Sequence, residues 1–225
     1  MASRAQREPK LLGQTVVVIG GSAGIGLETA RRARAEGADV ILTARDPGRL
    51  QGAASEVGAL RTAAFDAKDP PSLERFFLDV PTPIDHVMVT GPGPHYWPLM
   101  EIELEQARLA ISEHILLALW VARNAARKVR PGGTLLFMGG TGARRPARGL
   151  ALVSAVTAAM PAFVAGSHST LRRSGSISSP PASWTRRCRR RSSAISSTRA
   201  AISYATPFPY GESSDRLTWP HSQFI

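Results

Sequence analysis

An α/β fold built on a doubly wound parallel sheet is predicted by three features of this chain. Short, nearly continuous apolar runs alternate with segments of helical periodicity, as expected when strands are buried on both faces and helices cover them. A glycine cluster lies directly between the first apolar run and the first helical segment. At 225 residues, 43% of them hydrophobic, the chain is long enough for one α/β core.

The elements follow in order. "TVVVI" (Thr15–Ile19) reads as the first strand. Residues 24–36 place Leu27, Ala30 and Ala33 at helical spacing with charges between them, and Gly37 ends the helix. Residues 39–43, "DVILT", give a second strand, residues 50–57 a helix, and residues 60–66 a third strand. "PSLERFFLDV" opens with Pro71 and Ser72 at a helix start. Residues 85–91 form a fourth strand. A long helix is expected over residues 103–129, with room for a break into two. "GGTLLFMGG", residues 132–140, gives a fifth strand, and residues 149–166 a largely apolar helix.

Composition narrows the function classes. No run of eighteen apolar residues exists, so no membrane span is expected, and the polar start "MASRAQREPK" does not read as a signal peptide. A cytoplasmic protein is the expectation. A single cysteine, Cys188, excludes an intrachain disulfide, and no metal-ligand spacing is evident. The net charge of +11 is unevenly placed. Residues 1–165 carry 19 Lys and Arg against 15 Asp and Glu, whereas residues 166–225 carry 9 against 2 and hold 15 serines. Basic character therefore belongs mainly to a Ser/Arg/Pro-rich tail in which no helical or strand period persists. "RRCRRR" would give salt-sensitive contacts to any polyanion, so specific nucleic-acid recognition is not expected. The organisation predicted is an N-terminal tail (1–11), a folded domain (12–165) and a disordered tail (166–225).

The glycines supply the first chemistry. Gly20, Gly24 and Gly26 lie where a strand meets a helix, with Ser22 and Ile25 lining the same turn. Residues without a Cβ allow a tight turn and let a phosphate approach the free N–H groups of the helix. The strand–turn–helix context makes this a dinucleotide cradle. The end of the second strand then bears on which dinucleotide fits. An acid there would bind a ribose 2′-hydroxyl and repel a 2′-phosphate. The sequence reads "LTARD", so Arg45 favours NADP by two-point pairing with phosphate, and the adjacent Asp46 keeps NAD open.

"GGSAGIG", "LTARD", "FDAKD", "VMVTG" and "PGGTLLFMGG", in this order, resemble the short-chain dehydrogenase/reductase family over about residues 12–165. The resemblance implies a Rossmann-like fold and oxidoreduction of a small-molecule carbonyl or alcohol. It also implies that Asp66 and Ala67 touch the adenine ring and that Gly91 faces the cofactor. Family members form dimers or tetramers, which makes a homo-oligomer the assembly to test. Ile19 stands where the family's first motif usually begins with threonine.

The chemistry departs further from the family. Its usual tyrosine, lysine, serine and asparagine fall at Val153, Thr157, Gly140 and His114. A valine has no proton to give, and a threonine is no cation. Tyr96 and His114 are the candidate substitutes, with His95 a further source of charge. "GPHYWP" otherwise reads as an aromatic loop over the pocket, and His114 as a partly buried, hydrogen-bonded residue. Asp85 and His86 are strand neighbours on opposite faces and make a poor dyad. A non-catalytic dinucleotide- or partner-binding protein is the alternative. Beyond Ala165 the family's sixth and seventh strands are not recognisable. Rebuilding codons in the neighbouring frame turns this tail into segments like those strands, which predicts a frameshift near Ala165.

Overall fold

The computed structural model describes residues 10–81, 83–90, 95–145 and 147–173. Gly91 and Cys188, with nearly all of the Ser/Arg/Pro-rich tail, lie outside the described residues.

Strand β1 (Thr15–Ile19), helix α1 (Gly24–Ala35), β2 (Asp39–Ala44), α2 (Pro47–Val57), β3 (Arg61–Ala64), α3 (Pro70–Asp79) and β4 (Ile84–Val89) follow one another. Then come α4 (Leu104–Ile111), a π-helical turn (Ser112–Leu116), α5 (Leu117–Ala125), β5 (Val129–Phe137) and α6 (Ala151–Arg173). Among the described residues the strands form one parallel sheet in the order β3-β2-β1-β4-β5.

Alternation along β1 explains why its run is apolar throughout. Val16 and Val18 join the core that α1 and α2 cover, with Val40, Leu42, Ala30 and Leu50. Val17 and Ile19 join the opposite core, with Leu73, Phe77, Val121 and Met160 from α3, α5 and α6. A period of two places successive side chains on opposite faces, so a strand covered on both sides needs apolar residues at every position.

Several boundaries differ from the sequence expectation. Helix α2 begins at Pro47 rather than Leu50, because Asp46 caps it: its Oδ1 accepts the Arg49 N–H at 2.9 Å, and proline suits the first turn. The third strand shortens to Arg61–Ala64 and the fourth spans Ile84–Val89. The long helix stops at Ala125, with its middle widened into a π turn. The fifth strand begins at Val129, because Ile84 pairs with Val129 while His86 already pairs with Thr134. Helix α6 runs through Arg173 and so crosses the composition break at Ala165. None of the helices among the described residues is long and apolar enough to cross a membrane, and no cluster of three metal-ligating side chains occurs among them.

The bulge between β4 and β5 has a structural use. Asp85, only 4% exposed, accepts the Thr15 N–H at 2.7 Å and pairs with Arg130 from the bulge. On the other face of the strand His86 bridges Gln14 and Thr134, each at 2.7 Å, and burial pushes its pKa down, so it is held neutral. Both residues therefore bind β1 and β5 to β4 rather than acting on a ligand. Removing the Asp85 carboxylate leaves the Thr15 amide and a half-exposed arginine unsatisfied. Asp85→Ala is expected to lower stability by about 2 kcal/mol, measured by urea unfolding.

Candidate functional site

All strands point the same way, so their carboxyl ends share one edge of the sheet, where ligands of such folds bind. A cleft of about 670 Å³ follows that edge. Its walls include Ile19 of β1, Thr43 and Ala44 of β2, Phe65 after β3, Thr90 after β4 and Met138 after β5.

The turn after β1 is set by two close approaches. Gly20 has φ +86°. A Cβ there would lie 2.3 Å from Thr90 Oγ1, and one on Gly26 would lie 2.2 Å from the Gly20 carbonyl oxygen. Neither position admits a side chain. The Thr90 hydroxyl lies 3.0 Å from Ile19 O and 2.9 Å from Gly20 O, and the Gly20 and Gly21 N–H groups both donate to Thr43 O at 2.9 Å. Helix α1 starts from this turn with no side-chain cap and no acidic residue in its first turn. Its leading N–H groups therefore face the cleft without intrahelical partners. A Cβ on Gly24 would meet nothing within 4 Å, so the approach to those groups is open. This end suits an anionic diphosphate.

Of the residues the sequence singles out, Gly20, Ser22, Gly24, Ile25, Gly26, Arg45, Asp66 and Ala67 line the cleft, and so do Tyr96 and His114. Arg49, one helical turn into α2, also lines it and was missed. Asp46 is turned into its capping role and is absent from the cleft wall. Val153 and Thr157 are the α6 residues on the wall. The Thr157 hydroxyl donates back to Val153 O at 2.7 Å. Gly140 lies opposite, and a Cβ there would press on the Thr157 methyl at 3.1 Å.

His114 occupies the inner end. Its Nδ1 lies 3.0 Å from Ala110 O, and a carbonyl only accepts, so Nδ1 carries the proton. Nε2 is left with its lone pair and no hydrogen-bond partner among the described residues.

Beside it stands a network that sequence reasoning missed. Glu113, 5% exposed and inside the π turn, binds Lys68 Nζ through Oε1 at 3.0 Å and His95 Nε2 through Oε2 at 2.8 Å. The His95 ring stacks on Trp97, with centroids 4.9 Å apart. Thus His95 is bound to Glu113, and Trp97 packs on it, whereas Tyr96 lines the cleft with 63% exposure. The one acid in the apolar run "LAISEHILLALW" was the available signal.

Burial pushes the Glu113 carboxyl up, but Lys68 and His95 outweigh it and hold the pKa below its ordinary 4.5. A depressed folded pKa stabilises above the unfolded value and ceases to do so as pH falls through the folded one. Glu113→Gln is therefore expected to cost about 1–2 kcal/mol at pH 7. Urea midpoints of the two proteins should converge as pH drops below 4.5.

The profile described as short chain dehydrogenase matches residues 14–178. A short-chain dehydrogenase/reductase of Stachybotrys chlorohalonatus, ATR9, is 26% identical over 171 residues, which are 68% of this chain and 67% of that protein. A probable oxidoreductase of Streptomyces antibioticus is 35% identical over 89 residues, only 37% of this chain and 30% of that one. Among solved structures, a short-chain dehydrogenase from Burkholderia cenocepacia, in complex with NADP, superposes with a TM-score of 0.68 at 26% identity. It covers 75% of this chain and 72% of its own. The parallel sheet, the glycine turn and the cleft at the strand ends agree with this match, and the chain belongs to the short-chain dehydrogenase/reductase family, whose members are oxidoreductases that bind nicotinamide dinucleotides.

Proposed function

We propose that this protein is an NADP(H)-dependent oxidoreductase that interconverts a carbonyl compound and its alcohol, with His114 handling the proton. The observation that carries this reading is the continuity of one cleft. It joins the uncapped amides of α1, the Arg45 and Arg49 side chains and the partnerless Nε2 of His114.

Each part has a role. The α1 amides receive the diphosphate, Asp66 and Ala67 flank the adenine, and Gly91 keeps the cofactor-facing role that the resemblance gives it. Arg45 and Arg49 make no side-chain ion pair among the described residues, and both suit a 2′-phosphate. The capping role of Asp46 takes away the one carboxylate that favoured NAD. When bound, the dinucleotide donates or accepts the hydride. In the reducing direction His114, charged by a proton taken from solvent, would give its Nε2 proton to the carbonyl oxygen as the alcohol forms. Nδ1–H, anchored on Ala110 O, fixes the ring while this happens. Nε2 is reprotonated from solvent. Tyr96 covers the entering substrate from the mouth of the cleft. The cytoplasm, with its NADPH supply, is the location this reading requires, and a homo-oligomer is the assembly it leaves to test.

A second reading has one observation in its favour. Val153 and Thr157, the α6 residues on the wall, bring neither an acid nor a cation. A protein that binds the dinucleotide without turning it over would have such a wall. Fluorescence titration with NADPH, followed by turnover against a broad carbonyl panel, separates the two. Binding with turnover supports the enzyme, and binding without any turnover supports the second reading.

Two substitutions test the parts. Arg45→Ala with Arg49→Ala should weaken NADPH by about tenfold to a hundredfold and leave NADH nearly unchanged, read by calorimetry. His114→Gln should lower turnover by about 10²–10⁴ while the NADPH dissociation constant holds, read by steady-state kinetics and titration together.

A further inference from the structure

The charges on the cleft are unbalanced, and their positions say what the second ligand carries. Among the described residues four cations line it, Arg45, Arg49, Lys68 and Arg145, against one acid, Asp66. Lys68 is satisfied by the buried Glu113. Arg45 and Arg49 stand at the β2 end. Arg145 stands at the β5 end, past the turn Thr141–Ala143, where its N–H donates to Thr141 O at 3.0 Å. Two strands, β1 and β4, separate β2 from β5. At ~4.8 Å per strand the ends of β2 and β5 are roughly 14 Å apart, so the two groups start from opposite sides of the crevice. The Arg145 guanidinium makes no hydrogen bond or ion pair among the described residues. Leu117, Met138, Leu150 and Val153 give the same cleft an apolar stretch of wall.

We infer that the substrate is a carboxylate-bearing carbonyl compound, an oxo acid or the matching hydroxy acid, whose carboxylate pairs with Arg145 while its carbonyl oxygen faces His114. This rests on the reading of the cleft as a dinucleotide-dependent carbonyl site. A guanidinium presents a planar fork that meets both oxygens of a carboxylate, and one such fork suits a monoanion. Arg145 is exposed, so this pairing is partly screened and weakens as salt rises. The same surroundings give an uncharged ester of the compound nothing equivalent.

The test uses matched pairs of a keto acid and its methyl ester at several chain lengths, benzoylformate and methyl benzoylformate among them. Binding to the full chain saturated with NADP⁺ is measured by calorimetry, and turnover with NADPH is measured separately. At least one acid should bind about tenfold or more tighter than its ester, and this preference should shrink as salt rises. Arg145→Ala should abolish the preference by weakening the acid and moving the ester by less than about twofold. Arg145→Lys should restore part of it, and Arg145→Glu should reverse it. Arg145 is exposed, so unchanged thermal melting checks that each variant folds. Equal binding of acid and ester across all pairs, or an equal loss of both in Arg145→Ala, would overturn the inference. Failure to bind either nicotinamide dinucleotide, or acid preference without turnover, would instead count against the enzyme reading, because the binding measurement reads the charge preference by itself.

Discussion

The cleft depends on one close contact, where the end of β1, the start of α1 and the end of β4 meet with no room for a Cβ. Gly26 packs on the Gly20 carbonyl, and the Thr90 hydroxyl lies between the carbonyls of Ile19 and Gly20. A side chain at either glycine would push α1 outward, and its leading amides would no longer form the floor of the cleft. The sheet order makes that location useful. The chain runs from β1 outward to β2 and β3, then returns to place β4 on the other side of β1. A crevice opens at the point of reversal, and the contact at Thr90 spans it. Local sterics and global topology thus put the partly positive helix end where a ligand can enter.

A second constraint comes from the cost of burying a charge. Glu113 sits in the interior, where an unpaired carboxylate would cost several kcal/mol. It is retained with both oxygens occupied, one by a lysine following β3 and one by a histidine from the segment after β4. The π turn that carries it widens the helix locally, a distortion found often at functional sites. The next residue along the turn is His114, so the network fixes the backbone beside a residue that lines the cleft. Ion pairs of this kind add little net stability against an apolar alternative. Its value here is positional, since it joins three elements at the inner end of the site.

The sequence made the glycine-turn end of the cleft legible and the end beside His114 and Arg145 only partly so. Gly20, Gly24, Gly26 and Arg45 could be read because glycine in a strand–turn–helix setting has a steric meaning that does not depend on distant contacts. The start of β5 could not be read, because it follows from a pairing irregularity between Ile84 and His86. The beginning of α2 was readable in principle from Asp46 followed by Pro47, but apolar spacing drew the boundary to Leu50. Glu113, Lys68 and His95 come from three elements, and no periodicity joins residues that only the fold brings together. Arg145 lies among other arginines, Arg144 and Arg148, and becomes distinctive only when the cleft wall is known.

The same division applies to the chemistry. On the proposed reading the dinucleotide is held by backbone amides and two arginines, all of which line the cleft. Transferring a proton uses particular side-chain atoms, and the α6 wall supplies a valine and a threonine whose hydroxyl is bonded within its own helix. Proton transfer on the proposed reading must then pass through a different element, and the π turn next to α5 presents the one imidazole on the wall. Because the Ala110 carbonyl fixes the Nδ1 tautomer, His114 reaches the cleft as a base that must first be charged before it can act as an acid.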